Sequence, residues 1–444
     1  MRQTLFYIPE TLFGVPFFGW GLALLFLAVF ISHSYQYIKY RKISDIGSSA
    51  AVIIIGVVML VYIVPKLAVS GLGIPVRGYG ACLLAAILAA FCLLRHLAKQ
   101  QGITPEKIYS LALWSVIFGI VGARLFHVTE YWHYYLMFDP QTHQLHLRES
   151  LFNVINFPEG GITVFGSILG GMLGAWIFMI RNHMPVLRTL DIMAPAMILG
   201  SAIGRIGCLL NGCCFGCVTD VPWAIVFPPG SPAHVHQVLH GDAFVYGLKF
   251  EEKNFEKKTI LTIVEVLPGS EAEMCGLTPG MVLRYVSFND NNPSRDWELQ
   301  TLQEAAEFLT HLQRTMPGKK VQFDFFTDLS LSHVVSYWLI PSASEVLPVH
   351  PTQIYSSLLA LSLCGILLIL GRLPFYRQRN GLVFATFMIG YSVGRFLIEI
   401  VRTDEDSFFG TGLTVSQNVS IVFCLAGIML FVFICGRVNP LQRD

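Results

Sequence analysis

Nine apolar runs of about twenty residues each restrict what this chain can become. They lie near 16–33, 51–69, 80–98, 108–126, 161–180, 190–210, 353–371, 381–401 and 415–436. A helix rises 1.5 Å per residue, so about twenty apolar residues cross the roughly 30 Å hydrocarbon core of a bilayer. Inside lipid the backbone has no water to bond, so each run must satisfy its own N–H and C=O groups as a helix. Composition agrees, with 54% hydrophobic residues, 13% charged residues and a mean hydropathy of +0.58, far from soluble averages. The expected fold is an α-helical polytopic membrane protein of about nine transmembrane helices. The runs at 161–180 and 190–210 are rich in Gly or interrupted by Pro195, Gly200 and Gly204, and read as packed interior helices.

Lys and Arg distribute unevenly between alternate loops. Lys39, Arg41 and Lys42, then Arg95, Lys99 and Lys107, then Arg181 and Arg188, then Arg372, Arg377 and Arg379, and finally Arg437 and Arg443 fall on one side. The opposite loops carry only Arg2, Lys66, Arg77 and Arg148. The cation-rich side is the cytoplasmic one, which puts the N-terminus outside and the C-terminus in the cytoplasm. The first run is followed by basic residues and has no small-residue cleavage site, so it reads as a retained span. A net charge of +1 offers nothing to nucleic acid.

Residues 73–80, Gly-Ile-Pro-Val-Arg-Gly-Tyr-Gly, echo residues 14–21, Gly-Val-Pro-Phe-Phe-Gly-Trp-Gly, and each copy opens an apolar run. Residues 1–72 therefore read as an added hairpin of spans. Only the second copy has Arg77 and the Tyr79 hydroxyl, while Trp20 reads as a membrane-interface aromatic. The chain then divides into a membrane part at 73–228, an insertion at 229–348 and a second membrane part at 349–444.

The insertion has soluble character, with Glu251-Glu252-Lys253, Lys319-Lys320 and the alternating segment 259–266. Residues 266–283 resemble the strand, turn, short helix and strand of PDZ domains, and Gly247-Leu248-Lys249-Phe250 resembles their carboxylate-binding loop. Residues 299–312 supply a second helix. The expectation is an extracytoplasmic PDZ-like domain, β-rich with α+β character, able to add an extended peptide to its sheet edge; a spacer with no ligand is the alternative.

Polar residues gather at the outward ends of the spans: Tyr79, Arg124, His127, Arg205, Asn211, the segment His350-Pro351-Thr352-Gln353-Ile354-Tyr355, and Arg395, Glu399 and Arg402. Charge at bilayer depth costs several kcal/mol unless paired or wetted, so these mark function by default. Arg395 and Glu399 are spaced to pair on one helix face. A surplus of guanidinium over carboxylate suits an anion, and Arg suits phosphate. In the outer leaflet the obvious anion is a phospholipid head group.

Ten cysteines include Cys82, Cys92, Cys364, Cys424 and Cys435 in apolar runs, where they pass as small hydrophobes, and the group Cys208, Cys213, Cys214 and Cys217. With His234 and His236 that group is an alternative metal or redox site, though only one C-x-x-C pair is present. Disulfides in an oxidising exterior are a further option. A membrane zinc protease is excluded by the lack of H-E-x-x-H.

The membrane part resembles the phosphatidylglycerol:prolipoprotein diacylglyceryl transferases. The resemblance runs from about Gly73 to the C-terminus apart from the insertion. It rests on Gly204-Arg205-Ile206-Gly207 with Asn211-Gly212 and Gly216, on Tyr79-Gly80, Gly122-Ala123-Arg124, Gly160-Gly161 to Gly170-Gly171, residues 350–355, Gly390-Tyr391 with Arg395, Glu399 and Arg402, and Ser416-Gln417. It departs at Phe165, Cys208, Cys213 and Ser356, where relatives typically carry His, Asn, Glu and Glu. The resemblance implies transfer of a diacylglyceryl group from phosphatidylglycerol to the lipobox cysteine thiol of secreted preproteins, releasing glycerol phosphate. Its expected partners are that lipid, prolipoprotein signal peptides and membrane lipid, with no metal or other cofactor. It implies Arg205 and Arg395 on the phosphate, Glu399 orienting Arg395, and Tyr79, Arg124, Asn211, Gln353 and Arg402 on the lipid head group. His350 is the remaining candidate base. A lipid-binding or sensing protein on the same scaffold is the alternative function.

Overall fold

A computed structural model of the chain describes residues 4–8, 11–12, 15–16, 73–136, 150, 153–154, 163–255, 258–287, 301–315, 321–327, 334–339, 346–402 and 412–436. The apolar runs near 16–33 and 51–69, Trp20 and Gly160-Gly161 lie outside these residues. In chain order the elements are β1 (Thr4–Ile8), β2 (Ile74–Arg77), α1 (Gly78–Gln100), α2 (Pro105–Glu130), α3 (Val164–Arg181), α4 (Val186–Asn211), α5 (Pro232–Leu239), β3 (Leu248–Phe255), β4 (Lys258–Val266), α6 (Glu271–Met274), β5 (Val282–Ser287), α7 (Leu302–Thr315), β6 (Val321–Phe326), β7 (Val334–Leu339), α8 (Thr352–Leu370), α9 (Leu382–Glu399) and α10 (Val415–Gly436). Among the described residues six helices, α1, α2, α4, α8, α9 and α10, are long and apolar enough to span a bilayer. The run at 161–180 forms α3, a shorter apolar helix. The chain is thus a helical polytopic membrane protein, and each of the seven runs that fall among the described residues is a helix.

Two compact units divide the chain: residues 1–84, 203–355 and 401–404 form the first, and residues 85–202, 356–400 and 405–444 the second. In the second, glycine decides how α2 meets α3. A Cβ on Gly122 would stand 2.5 Å from the Gly166 carbonyl oxygen, and one on Gly170 would stand 2.2 Å from that of Phe118. Such contact is open only to small residues, and it supplies the dispersion energy that drives helix association in lipid. The seam occupies one face of α3. Ile168, Leu169, Met172, Leu173 and Trp176 on that helix are exposed among the described residues, apart from the glycine seam. The helix α4 buries Ala194, Ile198 and Ala202 with Leu363, Leu367 and Phe387. Its Asp191 carboxylate accepts from the main-chain N–H groups of Gly381 (2.6 Å) and Phe384 (2.8 Å), so it caps α9.

In the first unit, β1 pairs antiparallel with β2, running into α1. The insertion is a five-stranded antiparallel meander in the order β3-β4-β5-β6-β7. Alternation along β6 buries Val321, Phe323 and Phe325 on one face, where they meet Tyr246, Leu248, Leu261, Ile263 and, from α7, Ala305, Ala306 and Leu309. Lys249 and Glu265 sit opposite each other on β3 and β4 and pair at 3.0 Å. The stem is latched at both ends. Gln237 of α5 exchanges hydrogen bonds with the Leu347 main chain, each 3.0 Å, and Val349 bridges to Val218 and Ile225.

Candidate functional site

The site in the first unit is built on the way α4 ends. Asn211-Gly212 stops the helix by a Schellman motif: the Cys213 N–H donates to the Cys208 carbonyl at 3.2 Å and the Gly212 N–H to that of Leu209 at 3.3 Å. Gly212 takes φ +80°, which only glycine adopts without strain. Two residues on, Cys214 is also left-handed, at φ +59°, without that licence. The turn is held from α8. The Gln353 amide donates to the Cys213 carbonyl at 2.7 Å, and the Thr352 hydroxyl to the Cys214 carbonyl at 2.6 Å. A β-like contact closes the far side, where Gly216 N–H donates to His350 O and Cys217 N–H to Val401 O, both at 2.9 Å.

This fold-back returns Cys213 and Cys214 toward Cys208, with all three sulfurs within 4.8 Å of one another. Arg205 and Arg402 both lie within electrostatic reach of Cys214, and Tyr79 is within reach of the three thiols and of Arg205. The Asn211 side chain bonds Cys213. Tyr79, Arg205, Asn211, Gln353 and Arg402, singled out from sequence, are therefore brought together around one turn. Gln353 is wholly buried, and its Oε1 has no donor among the described residues. A buried acceptor left unmatched costs about 1–3 kcal/mol, so it awaits a hydroxyl or amide.

His350 sits at the same turn and meets Tyr355, whose hydroxyl also accepts from the Trp223 indole at 2.6 Å. His350 Nδ1 lies 3.3 Å from that hydroxyl, which can accept from the indole and still share a hydrogen bond with the imidazole. Thr352 and Tyr355 lie in the segment singled out from sequence but were given no role there, and Trp223 was not singled out. Trp223 lies in a loop whose return to the site depends on the insertion stem, and sequence spacing carries no trace of that. A cleft of about 470 Å³ lies beside Asn211, lined also by Pro232, His236 and Leu239 and by Glu307 of the insertion. Below it, buried His234 accepts from the Gly230 N–H at Nδ1 and donates from Nε2 to the Phe244 carbonyl, both 3.2 Å. Burial lowers its pKa from 6.5, opposed by the Phe244 bond. Those two bonds take His234 out of the expected cysteine–histidine set, and His236 stacks on His240 and abuts Phe215. Among the described residues the close group is Cys208, Cys213 and Cys214.

In the second unit, Arg395 pairs with Glu399 at 2.8 Å and donates to the Ser416 hydroxyl at 2.8 Å. Glu399, 2% exposed, also accepts from Thr414 at 3.4 Å. The i, i+4 pair expected from sequence is present. Arg124, 5% exposed, donates to the main-chain carbonyls of Asn153 (2.6 Å) and Val154 (2.8 Å) and lies over the Tyr135 ring. A separate cavity of about 280 Å³, lined by His96, Arg188, Asp191 and Arg372 among others, contains none of the sequence-assigned site residues.

Residues 66–433 match the family model described as prolipoprotein diacylglyceryl transferase. A phosphatidylglycerol–prolipoprotein diacylglyceryl transferase of Rhodopirellula baltica is 31% identical over 97% of this chain and 89% of its own length. Proteins of the same description from Corynebacterium efficiens (25% identical, 84% of this chain, 82% of the relative) and Acaryochloris marina (40% identical, 35% of this chain, 52% of the relative) are also similar.

Proposed function

Since the chain belongs to the prolipoprotein diacylglyceryl transferase family, we propose that it moves a diacylglyceryl group from phosphatidylglycerol to the cysteine thiol of a prolipoprotein. The observation that carries this reading is the turn after α4, where Arg205 and Arg402 lie within electrostatic reach of Cys214, together with Tyr79, Asn211 and Gln353. Thiol alkylation by a phosphate ester needs a thiolate and a stabilised leaving group. Arg205 and Arg402 take the phosphate as charge develops on it. Gln353 Oε1 accepts from a glycerol hydroxyl, and Tyr79 and Asn211 bond the remaining head-group oxygens. His350 receives the thiol proton by way of the Tyr355 hydroxyl.

Arg395 and Glu399 keep their sequence-based assignment to the chemistry, with Glu399 fixing the guanidinium orientation. Arg124 acts in lipid binding as a positioning residue, because two of its donors hold the main chain at Asn153 and Val154. Complementation of a strain depleted of its own transferase tests the function. Wild type restores lipidation and Arg205→Ala does not; a well-expressed wild type that fails to restore it sinks the enzyme reading in favour of a lipid-binding protein.

We assign the insertion a PDZ-like fold that holds an extended segment of preprotein near the site. Its meander order, the left-handed Gly247 (φ +77°) ahead of edge strand β3, and the cleft shared by Asn211 and Glu307 support this. The N-terminus and the insertion face the exterior of the cytoplasmic membrane and the C-terminus faces the cytoplasm, as the loop cations require. Impermeant thiol labelling of single cysteines placed at 290 and 440 checks that orientation; labelling at 440 alone reverses it.

A further inference from the structure

We propose that Cys208, Cys213 and Cys214 form a three-thiolate metal site of the zinc(II) class, whose fourth position takes the thiol of the acceptor cysteine. The proposal rests on the transferase reading above and supplies that reaction with its nucleophile.

Geometry comes first. A zinc ion with sulfur at about 2.3 Å in a tetrahedron needs its sulfurs about 3.8 Å apart. The three Sγ atoms already lie within 4.8 Å of one another, so small side-chain rotations close the difference. Their backbone is fixed. Cys208 is in the last turn of α4, Gly212 reverses the chain, and the carbonyls of Cys213 and Cys214 are tied down by Gln353 and Thr352. Cys214 is held at φ +59°, a strain of about 1–3 kcal/mol of the sort found at ligand clamps.

Charge and chemistry agree. Three thiolates around a divalent ion leave one negative charge, set within reach of Arg205 and Arg402. Three sulfurs mutually close also suit one ion better than one disulfide, which would leave an odd thiol beside it. Among the described residues of the turn there is no carboxylate, and His350 Nδ1 lies 3.3 Å from the Tyr355 hydroxyl. A coordinating thiol loses its proton outright, so a metal makes the thiolate without a strong base. In the step, the acceptor S–H gives its proton to the Tyr355–His350 pair as sulfur binds the ion. That sulfur attacks the glycerol carbon of the diacylglyceryl group. The C–S bond forms, the C–O bond to phosphate breaks, and glycerol phosphate leaves with the bonding pair.

Full-length protein, purified reduced in detergent and loaded with cobalt(II) or zinc(II), provides the test. About one ion binds per chain, with a thiolate-to-cobalt charge-transfer band. Cys208→Ser, Cys213→Ser and Cys214→Ser each weaken cobalt binding by on the order of 100-fold, while Cys217→Ser and Cys92→Ser leave it unchanged. A lipobox peptide shifts the band and its Cys→Ser counterpart does not. Cobalt bound without a thiolate band, binding indifferent to the three Ser variants, or trapping of these cysteines as a disulfide before reduction each overturns the site. Full transfer by chelated, metal-free protein overturns its part in catalysis and leaves the transferase reading intact. A peptide-responsive cobalt band in a protein that never restores lipidation leaves the metal site standing and defeats the transferase reading instead.

Discussion

Gly212 shows how one position sets the site. Its φ of +80° strains any side chain, and a Cβ there would press on Ser231 (3.2 Å) and Phe227 (3.3 Å), which must give by a few tenths of an ångström. Gly212→Ala is expected to cost about 1–3 kcal/mol and to lower the melting temperature in detergent, along with transfer; an unchanged melting point would show that the turn tolerates alanine. Glu399 makes the contrasting case. Removing the carboxylate leaves the Arg395 guanidinium without its ion-pair partner, and breaking such a buried pair costs about 3–5 kcal/mol. Glu399→Gln keeps the shape and loses the charge, so a variant as stable as wild type would mean the pair contributes little. Arg205, Asn211 and the Arg395–Glu399 spacing were legible in the sequence because charge inside an apolar run demands a partner and i, i+4 spacing names it. The cysteines were legible as an alternative metal or redox group with Cys217, His234 and His236, but which three come together was not. Cys208 is five and six residues from its neighbours, and only the left-handed Gly212 and Cys214 bring the sulfurs together. The orphan Oε1 of Gln353 was equally hidden, since burial cannot be read from the residue's identity.

Elements were legible wherever one periodicity ruled. Seven apolar runs became helices at nearly the expected positions, and alternation gave β4, whereas the equally alternating β6 was not singled out. For α3, glycine content reports how closely one side of the helix is approached, as the seam with α2 shows, and says nothing of its other sides. That distinction predicts an asymmetry. Gly170→Val drives a side chain into the Phe118 carbonyl, and α2 must move away from α3, so folded protein recovered from membranes should fall severely. Leu173→Ala, on the exposed face of the same helix, should change recovery little. Equal loss in the two variants would show that the seam is not what holds α3. In the insertion stem, α5 carries His234 buried and neutral. Its folded pKa is depressed below 6.5, so the stability it contributes is present above about pH 6.5 and is lost as the pH falls through the lower folded value. Wild type should therefore lose more thermal stability than His234→Gln between pH 7.5 and pH 5.5, and parallel curves for the two would remove His234 as the cause.

At the scale of the molecule, composition gave the division into membrane part and insertion, but not where one ends. The sequence boundary at 229–348 places α5 in the insertion. In the structure Ala233 of α5 is buried with Phe215, Phe227 and Val349, against the turn that carries the site, while Val238 reaches the insertion core. Helix α5 therefore packs against both the turn that carries the site and the insertion core. Gln237 and Leu347 are joined by paired hydrogen bonds, so the chain enters and leaves the insertion at one point. Deleting residues 240–345 and closing the gap with a short Gly/Ser linker keeps both ends of that clasp and adds little loop entropy. The shortened protein should insert, retain Arg205, Asn211 and the three cysteines in place, and bind cobalt(II) with the same thiolate band. It should still modify some prolipoproteins, losing those whose mature segments the insertion holds. Comparing the lipoprotein profiles of strains living on the full and shortened chains measures this. A uniform fall across all substrates with the cobalt band preserved would make the insertion a general catalytic part, and identical profiles would reduce it to a spacer.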